Sequence, residues 1–135
     1  MTTLKLVDTT FIIGLLRGDP ATVEKARQLD LEGGAASTAV NVFEVAYGVH
    51  RSMSDSERRR DQAHKVISNL EIFPLDSQAA YKAAEIAAGL DKRGMTVDPF
   101  DALVAGIALS NGVKTIVTRN TDHFERIPEI EVEEH

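Results

Sequence analysis

Five residues of this chain have the types that metal-assisted or phosphoryl chemistry needs: Asp8, Glu44, Asp101, Asn120 and Asp122. Asp8 follows a short apolar run, Leu4-Lys5-Leu6-Val7, that reads as a buried strand. Asn120 and Asp122 follow a second run, Thr115-Ile116-Val117. In an open parallel α/β sheet, ligands bind outside the carboxyl ends of the strands. Glu44 and Asp101 lie near predicted helix starts, which face that same edge when the crossovers are right-handed. Distant carboxylates are therefore expected to gather in one crevice. Such groups repel one another, and partial burial raises their pKa values. A divalent cation reverses that penalty. With no cysteine and four scattered histidines, the donor set suits a hard, oxygen-loving ion, Mg²⁺ or Mn²⁺. Such an ion activates water and offsets charge on a phosphoryl group.

Each residue also has a plainer reading. Asp8 is equally suited to be the N-cap of the helix after it. Glu44 has apolar neighbours at Val40 and Tyr47 on one helical face, where a carboxylate is costly unless paired; a salt bridge to an arginine is the alternative. Asp98 reads as an N-cap before Pro99, and Asp101 as a dipole-complementing residue in the first turn. Asn120 and Asp122 fall in what reads as a polar loop, where a turn role is available to both. Arg119 is a candidate phosphate contact, with a surface ion pair as its alternative. Arg58, Arg59, Arg60, His64 and Lys65 spread around one helix and read as a solvated face, with an RNA-phosphate track as the minority reading. His50, His64 and His123 show no metal-ligand spacing and receive no catalytic role.

The elements that must position these residues alternate between short strands and longer helices. Strands are predicted at 4–7, 35–37, 71–73, 115–117 and 130–132. Thr9 and Thr10 are read as capping a helix to about Arg17, stopped at Gly18. Asp19-Pro20 opens a helix to about Leu29, with a break at Gly33-Gly34. Thr38 caps a helix to about Arg51. Ser54-Asp55-Ser56-Glu57 reads as a capping box for a basic helix to about Leu70. Asp76 caps an alanine-rich helix to about Arg93, with Ala79, Ala83, Ile86 and Leu90 at helical spacing. Asp98-Pro99 opens a helix closed by Asn111-Gly112. The expectation is an α/β fold, a three-layer α/β/α sandwich around a central mainly parallel sheet, in a single domain spanning 1–135.

Composition removes several function classes. At 135 residues with 43% hydrophobic and 27% charged residues, the chain is suited to one folded domain. The absence of cysteine excludes a disulfide scaffold, a thiol nucleophile and a thiolate zinc site. A net charge of −6 argues against a nucleic-acid coat protein. Aromatics at 5% and no tryptophan argue against a base-stacking surface. No apolar run approaches the roughly 20 residues of a membrane span, and the N-terminus lacks a signal peptide, so a cytoplasmic protein is expected. Glu133-Glu134-His135 is set aside as a tail without functional meaning. Phe11, Ile12, Leu15 and Leu16 are candidates for a partner groove, with core packing as the alternative.

Four stretches taken together carry a resemblance: residues 7–13, Val-Asp-Thr-Thr-Phe-Ile-Ile; residues 41–48 around Glu44; residues 98–106, Asp-Pro-Phe-Asp-Ala-Leu-Val-Ala-Gly; and residues 117–124 around Asn120. In this order and spacing the chain resembles the PIN-domain family, most of all the VapC-type toxins of toxin–antitoxin pairs. The resemblance covers nearly the whole chain. It implies an Mg²⁺- or Mn²⁺-dependent endoribonuclease that hydrolyses RNA phosphodiesters with cation-activated water. By motif it implies Asp8, Glu44 and Asp101 as metal ligands and catalytic residues. Asn120 stands at the fourth position, commonly Asp or Asn, and Asp122 is the substitute ligand for the acid that many members carry one place later, before the Phe. Asp98 is an outer contributor, Thr9 and Thr118 hydroxyls are supporting partners, and Arg119 contacts the substrate phosphate. This chain departs from the pattern at His123, where many members carry an acid. The resemblance further implies a homodimer, inhibited by a VapB-type antitoxin, with DNA bound only through that antitoxin. A stand-alone RNA-processing nuclease and a catalytically silent binding module are the alternatives. A phosphotransfer receiver lacks its paired early acids, and a nucleotide-binding Rossmann domain lacks its glycine loop.

Overall fold

The computed structural model of the chain describes residues 4–52 and 57–135. The expected capping residues Ser54, Asp55 and Ser56 lie outside the described residues. Among those described, five strands alternate with seven helices: β1 (Lys5–Val7), α1 (Thr9–Leu16), α2 (Pro20–Glu32), β2 (Ala35–Thr38), α3 (Ala39–Arg51), α4 (Glu57–Ser68), β3 (Glu71–Phe73), α5 (Ser77–Lys92), α6 (Pro99–Ser110), β4 (Thr115–Val117), α7 (Thr121–Glu125) and β5 (Glu131–Glu133). The strands form one parallel sheet in the order β3-β2-β1-β4-β5. The chain walks outward from β1 through β2 to β3, then returns to the other side of β1. The switch point therefore lies between β1 and β4, the place where parallel α/β sheets open a crevice.

Strand alternation builds two cores. Leu6 and Ile116 face one side and join Ala79, Leu90, Val104, Ile107 and Phe124 from α5, α6 and α7. Val7 and Val117 face the other side and join Phe11 and Leu29 from α1 and α2. A third cluster, Ile12, Val45 and Ala63, ties α1 to α3 and α4. The fold is thus the three-layer α/β arrangement expected. Phe11 and Ile12 are fully buried, so core packing accounts for them, while Leu15 and Leu16 pack against the same clusters and stay partly exposed.

The caps at Asp19, Thr38, Asp76 and Asp98 form as expected, each side chain accepting a first-turn backbone N–H. Three expectations are corrected. The cap of α1 is Asp8, which accepts from the Phe11 N–H, not Thr9 or Thr10; the two threonines stand inside the helix. The supposed polar loop at 120–125 is the short helix α7. Five residues do not make a helix by propensity; buried Phe124 anchors this one in the core. Residue Glu133 is no loose tail but the last residue of β5, paired with Val117.

Helices α5 and α6 pack closely through their small residues. A Cβ added at Gly106 would lie 2.7 Å from the Ala79 carbonyl oxygen and 2.7 Å from the Ala83 nitrogen. Alanine normally gains about 1 kcal/mol over glycine in a helix, but overpacking against backbone costs about 1–3 kcal/mol. Gly106→Ala is therefore expected to lose up to about 2 kcal/mol net in a urea titration; a gain in stability would contradict this packing.

Candidate active site

The crevice at the switch point is organised around Asp8, which is only 5% exposed. Its backbone N–H donates to the Val117 carbonyl at 3.3 Å, joining the ends of β1 and β4. Its side chain is held on both oxygens. Oδ1 accepts from the Thr10 hydroxyl at 2.6 Å and the Phe11 N–H at 3.3 Å. Oδ2 accepts from the Thr118 hydroxyl at 2.5 Å. Burial pushes the carboxyl above its ordinary pKa, and these three donors pull part of the way back. Asp8 is thus both cap and crevice residue, and the two readings of the sequence coexist.

Glu44 reaches the crevice from the second turn of α3. Its Oε1 accepts from the Thr9 hydroxyl at 2.8 Å. Thr9 in turn accepts from Asn41 Nδ2 at 3.1 Å, and Asn41 Oδ1 accepts from the Thr38 hydroxyl at 2.7 Å. A buried polar relay thus runs from the end of β2 to Glu44. Burial raises the Glu44 pKa most, and the charges of Asp101, Asp8 and Asp98 raise it further. Among the described residues, no arginine pairs with Glu44, and its partner is the Thr9 hydroxyl. Asp101, in the first turn of α6, is likewise raised by burial and by Asp98 and Asp8, while His123 Nδ1 at 3.0 Å from Oδ2 lowers it. Three distant segments therefore bring Asp8, Glu44 and Asp101 within electrostatic reach of one another.

The remaining candidates divide. Asp98 is exposed, caps α6 through the Phe100 N–H, and adds negative charge to the cluster. Asn120 is exposed at the N-cap position of α7, and its backbone N–H donates to Thr118 Oγ1 at 2.9 Å. Asp122 is exposed on α7, and among the described residues no hydrogen bond or ion pair ties it to the three carboxylates. The Arg119 guanidinium pairs with Asp19 and reaches Thr22 Oγ1 at 3.1 Å, so the surface ion pair weighed from sequence is present.

Sequence reasoning missed Asn41, Thr10 and His123. The signal for Asn41 was a polar residue among apolar helix positions, three residues after the Thr38 cap. It also discounted the aromatics. Phe43 and Tyr47 stack with centroids 5.8 Å apart, Phe100 lies 6.0 Å from Phe43, and all three rings are exposed beside Glu44 and Asp101 in the sequence.

Among the described residues, no three acidic or histidine side chains converge on a single cation position. Each carboxylate is turned to its own hydroxyl or imidazole partner. The donor set nonetheless fits a hard divalent cation in type and charge. It consists of carboxylate oxygens whose ionised forms are disfavoured by burial and, for Glu44 and Asp101, by neighbouring acids.

The raised pKa values fix a sign. Between the unfolded and folded pKa of such a carboxyl, the native state holds more protons, so stability falls as pH rises through that window and stays lower above it. Glu44→Gln removes the charge and keeps the acceptor for Thr9. In chelator-treated protein the variant is expected to melt higher than wild type at pH 7.5, with the gap closing towards pH 4. A variant that melts lower at pH 7.5 would contradict this electrostatic picture.

Comparison with known proteins agrees with this geometry. The PIN domain family matches residues 5–130. The chain is 33% identical over 129 residues to the tRNA(fMet)-specific endonuclease VapC of Salmonella typhimurium, covering 96% of each. It is similar to the crystal structure of DNA-bound VapBC from Salmonella typhimurium, with TM-score 0.86, 31% identity, and 99% and 98% of the two chains covered. The fold also matches VapBC2 of Rickettsia felis, bound to a promoter DNA fragment, with TM-score 0.89, 22% identity, and 98% and 99% covered. The chain belongs to the PIN-domain family.

Proposed function

We propose that this chain is a toxin endoribonuclease of a toxin–antitoxin pair, and that it hydrolyses RNA phosphodiesters with Mg²⁺ or Mn²⁺ at Asp8, Glu44 and Asp101. The observation that carries the reading is the gathering of these three carboxylates, from β1, α3 and α6, at the switch point of the sheet. The relatives named as VapC nucleases support the activity.

Asp8, Glu44 and Asp101 would hold the cation. When bound, it supplies Lewis acidity towards a phosphoryl oxygen and lowers the pKa of water. The chain's own hydroxyls do the positioning. Thr10 and Thr118 fix the two oxygens of Asp8, and Thr9 fixes Glu44. The His123 ring holds Asp101 in place. Asn120, at the N-cap of α7, and Asp122, in its first turn, are the residues that would offer a fourth oxygen. The negative field of the cluster repels a phosphate until a cation neutralises it, so the metal-free site does not bind substrate well.

The partner assignment follows the relatives. The Salmonella typhimurium structure is a VapBC complex on DNA, and a VapB-type antitoxin is proposed here, with DNA contacted through it alone. A homodimer is proposed as well, supported by the exposed Phe43, Tyr47 and Phe100 rings. Among the described residues, no helix is long and apolar enough to cross a membrane, and a cytoplasmic site of action is proposed.

Asp8→Asn and Asp101→Asn are each expected to cut the cleavage rate of total tRNA about 100-fold or more, with circular dichroism unchanged. EDTA is expected to do the same to wild type. Mn²⁺ is expected to raise the wild-type Tm and to leave that of Asp8→Asn nearly unchanged. Wild-type cleavage by either variant, or in EDTA, would refute the assignment. For the dimer, sedimentation of Phe43→Asp is expected to shift from two copies to one; a wild type that sediments as a monomer would refute it.

A further inference from the structure

The last residues of the chain brace the back of Asp8. Glu133 is gripped by Lys5 at 2.8 Å and Lys25 at 2.7 Å, and these lysines pull its carboxyl below its ordinary pKa against the effect of burial. Its carbonyl oxygen accepts from the Thr118 N–H at 2.9 Å. Thr118 is the residue whose hydroxyl holds Asp8 Oδ2. Two residues on, the His135 ring meets Phe11 edge to face, with centroids 5.3 Å apart. Its Nε2 lies 3.3 Å from Thr10 Oγ1 and its Nδ1 lies 2.9 Å from Thr22 Oγ1.

Proton accounting assigns the direction of the bonds at Thr10. Thr10 has one hydroxyl proton, and its 2.6 Å contact sends that proton to Asp8 Oδ1. A hydroxyl oxygen has two acceptor sites besides. The Arg119 N–H fills one at 3.1 Å. His135 Nε2 must then act as an N–H donor to the other. The single Thr22 hydroxyl proton has two acceptors within reach, Asp19 Oδ2 at 2.8 Å and His135 Nδ1 at 2.9 Å, so this contact does not fix the state of Nδ1. Burial and the Arg119 charge both favour the neutral ring. The bonds that bear on the carboxylate thus run from His135 to Thr10 to Asp8.

We propose that His135 is a positioning residue: its Nε2–H locks the Thr10 hydroxyl onto Asp8 and so fixes the carboxylate that the crevice uses. This rests on the reading of Asp8 as an active-site residue. With both acceptor sites of Thr10 filled, the hydroxyl cannot rotate its proton away from Asp8 without breaking a bond. Partners one bond removed from a metal ligand commonly change metal affinity about 10- to 100-fold when lost. His135 stands one bond further out, so its loss is set at the low end of that range.

Two measurements on the full chain decide it. The first is the ¹⁵N spectrum of the His135 ring in metal-free protein at pH 7.5. A protonated Nε2 is expected; a bare Nε2 overturns the inference whatever the metal does. The second is the Mn²⁺ concentration that gives half the rise in Tm. His135→Ala is expected to raise it about tenfold. His135→Gln, which still offers an N–H, is expected to restore it. In a Thr10→Val background, His135→Ala is expected to add nothing, because the link is already cut. An unchanged midpoint in His135→Ala overturns the inference, even if Tm itself drops. An equal rise in His135→Ala and His135→Gln also overturns it, since ring packing on Phe11 would then carry the effect. An Mn²⁺ response that survives Asp8→Asn refutes the site reading itself, which is a separate failure.

Discussion

Everything in this site depends on keeping one ionisable carboxylate, Asp8, out of water. A buried charge is costly unless it is hydrogen-bonded. The Phe11 N–H at 3.3 Å is a long bond, and a helix cap alone is worth about 1 kcal/mol. The two hydroxyl contacts, at 2.6 and 2.5 Å, are the short ones. They come from opposite sides of the switch point, Thr10 from α1 and Thr118 from the end of β4. Asp8 therefore needs β1, α1 and β4 in register at once. The parallel pairing of Val7 with Val117 supplies that register.

Glu44 and Asp101 add a second tension. Each is half-buried, each feels the other acids, and each has one neutral or weakly basic partner rather than an arginine. Arg119, the cation nearest in sequence to the crevice, is committed to Asp19 instead. The fold thus holds its carboxylates in place without neutralising them. That arrangement costs stability at neutral pH and leaves negative charge available for a cation, a trade that functional sites commonly make.

Much of this was legible from residues alone because the signals are local. A capping aspartate before proline at Asp19 and Asp98, a threonine before an apolar helix at Thr38, and helical spacing from Ala79 to Leu90 need only neighbours in sequence. Asp8 and Asn120 were legible as strand-end residues because the strands before them are apolar runs. The unreadable parts depend on partners far along the chain. Thr118 meets Asp8 across 110 positions and Asn41 meets Thr9 across 32. Helix α7 carries too few residues for a periodic signal and exists because Phe124 is buried. The low aromatic content was a sound average, but three of the exposed rings cluster in one place, and composition contains no positions.

The misreading of the C-terminal residues follows from the same cause and has a topological remedy. In a parallel sheet every strand points its carboxyl end to the same edge. Strand β5 lies beside β4, and β4 lies beside β1. Whatever follows β5 must then emerge two strands from Asp8, on the edge where the crevice opens. Three charged or polar residues after a short edge strand look disposable in sequence. Their position is dictated by strand order, and it places Glu133 against Lys5 and Lys25 and the His135 ring against Phe11 and Thr10. In a fold of this connectivity the chain's last strand is part of the frame of its first carboxylate.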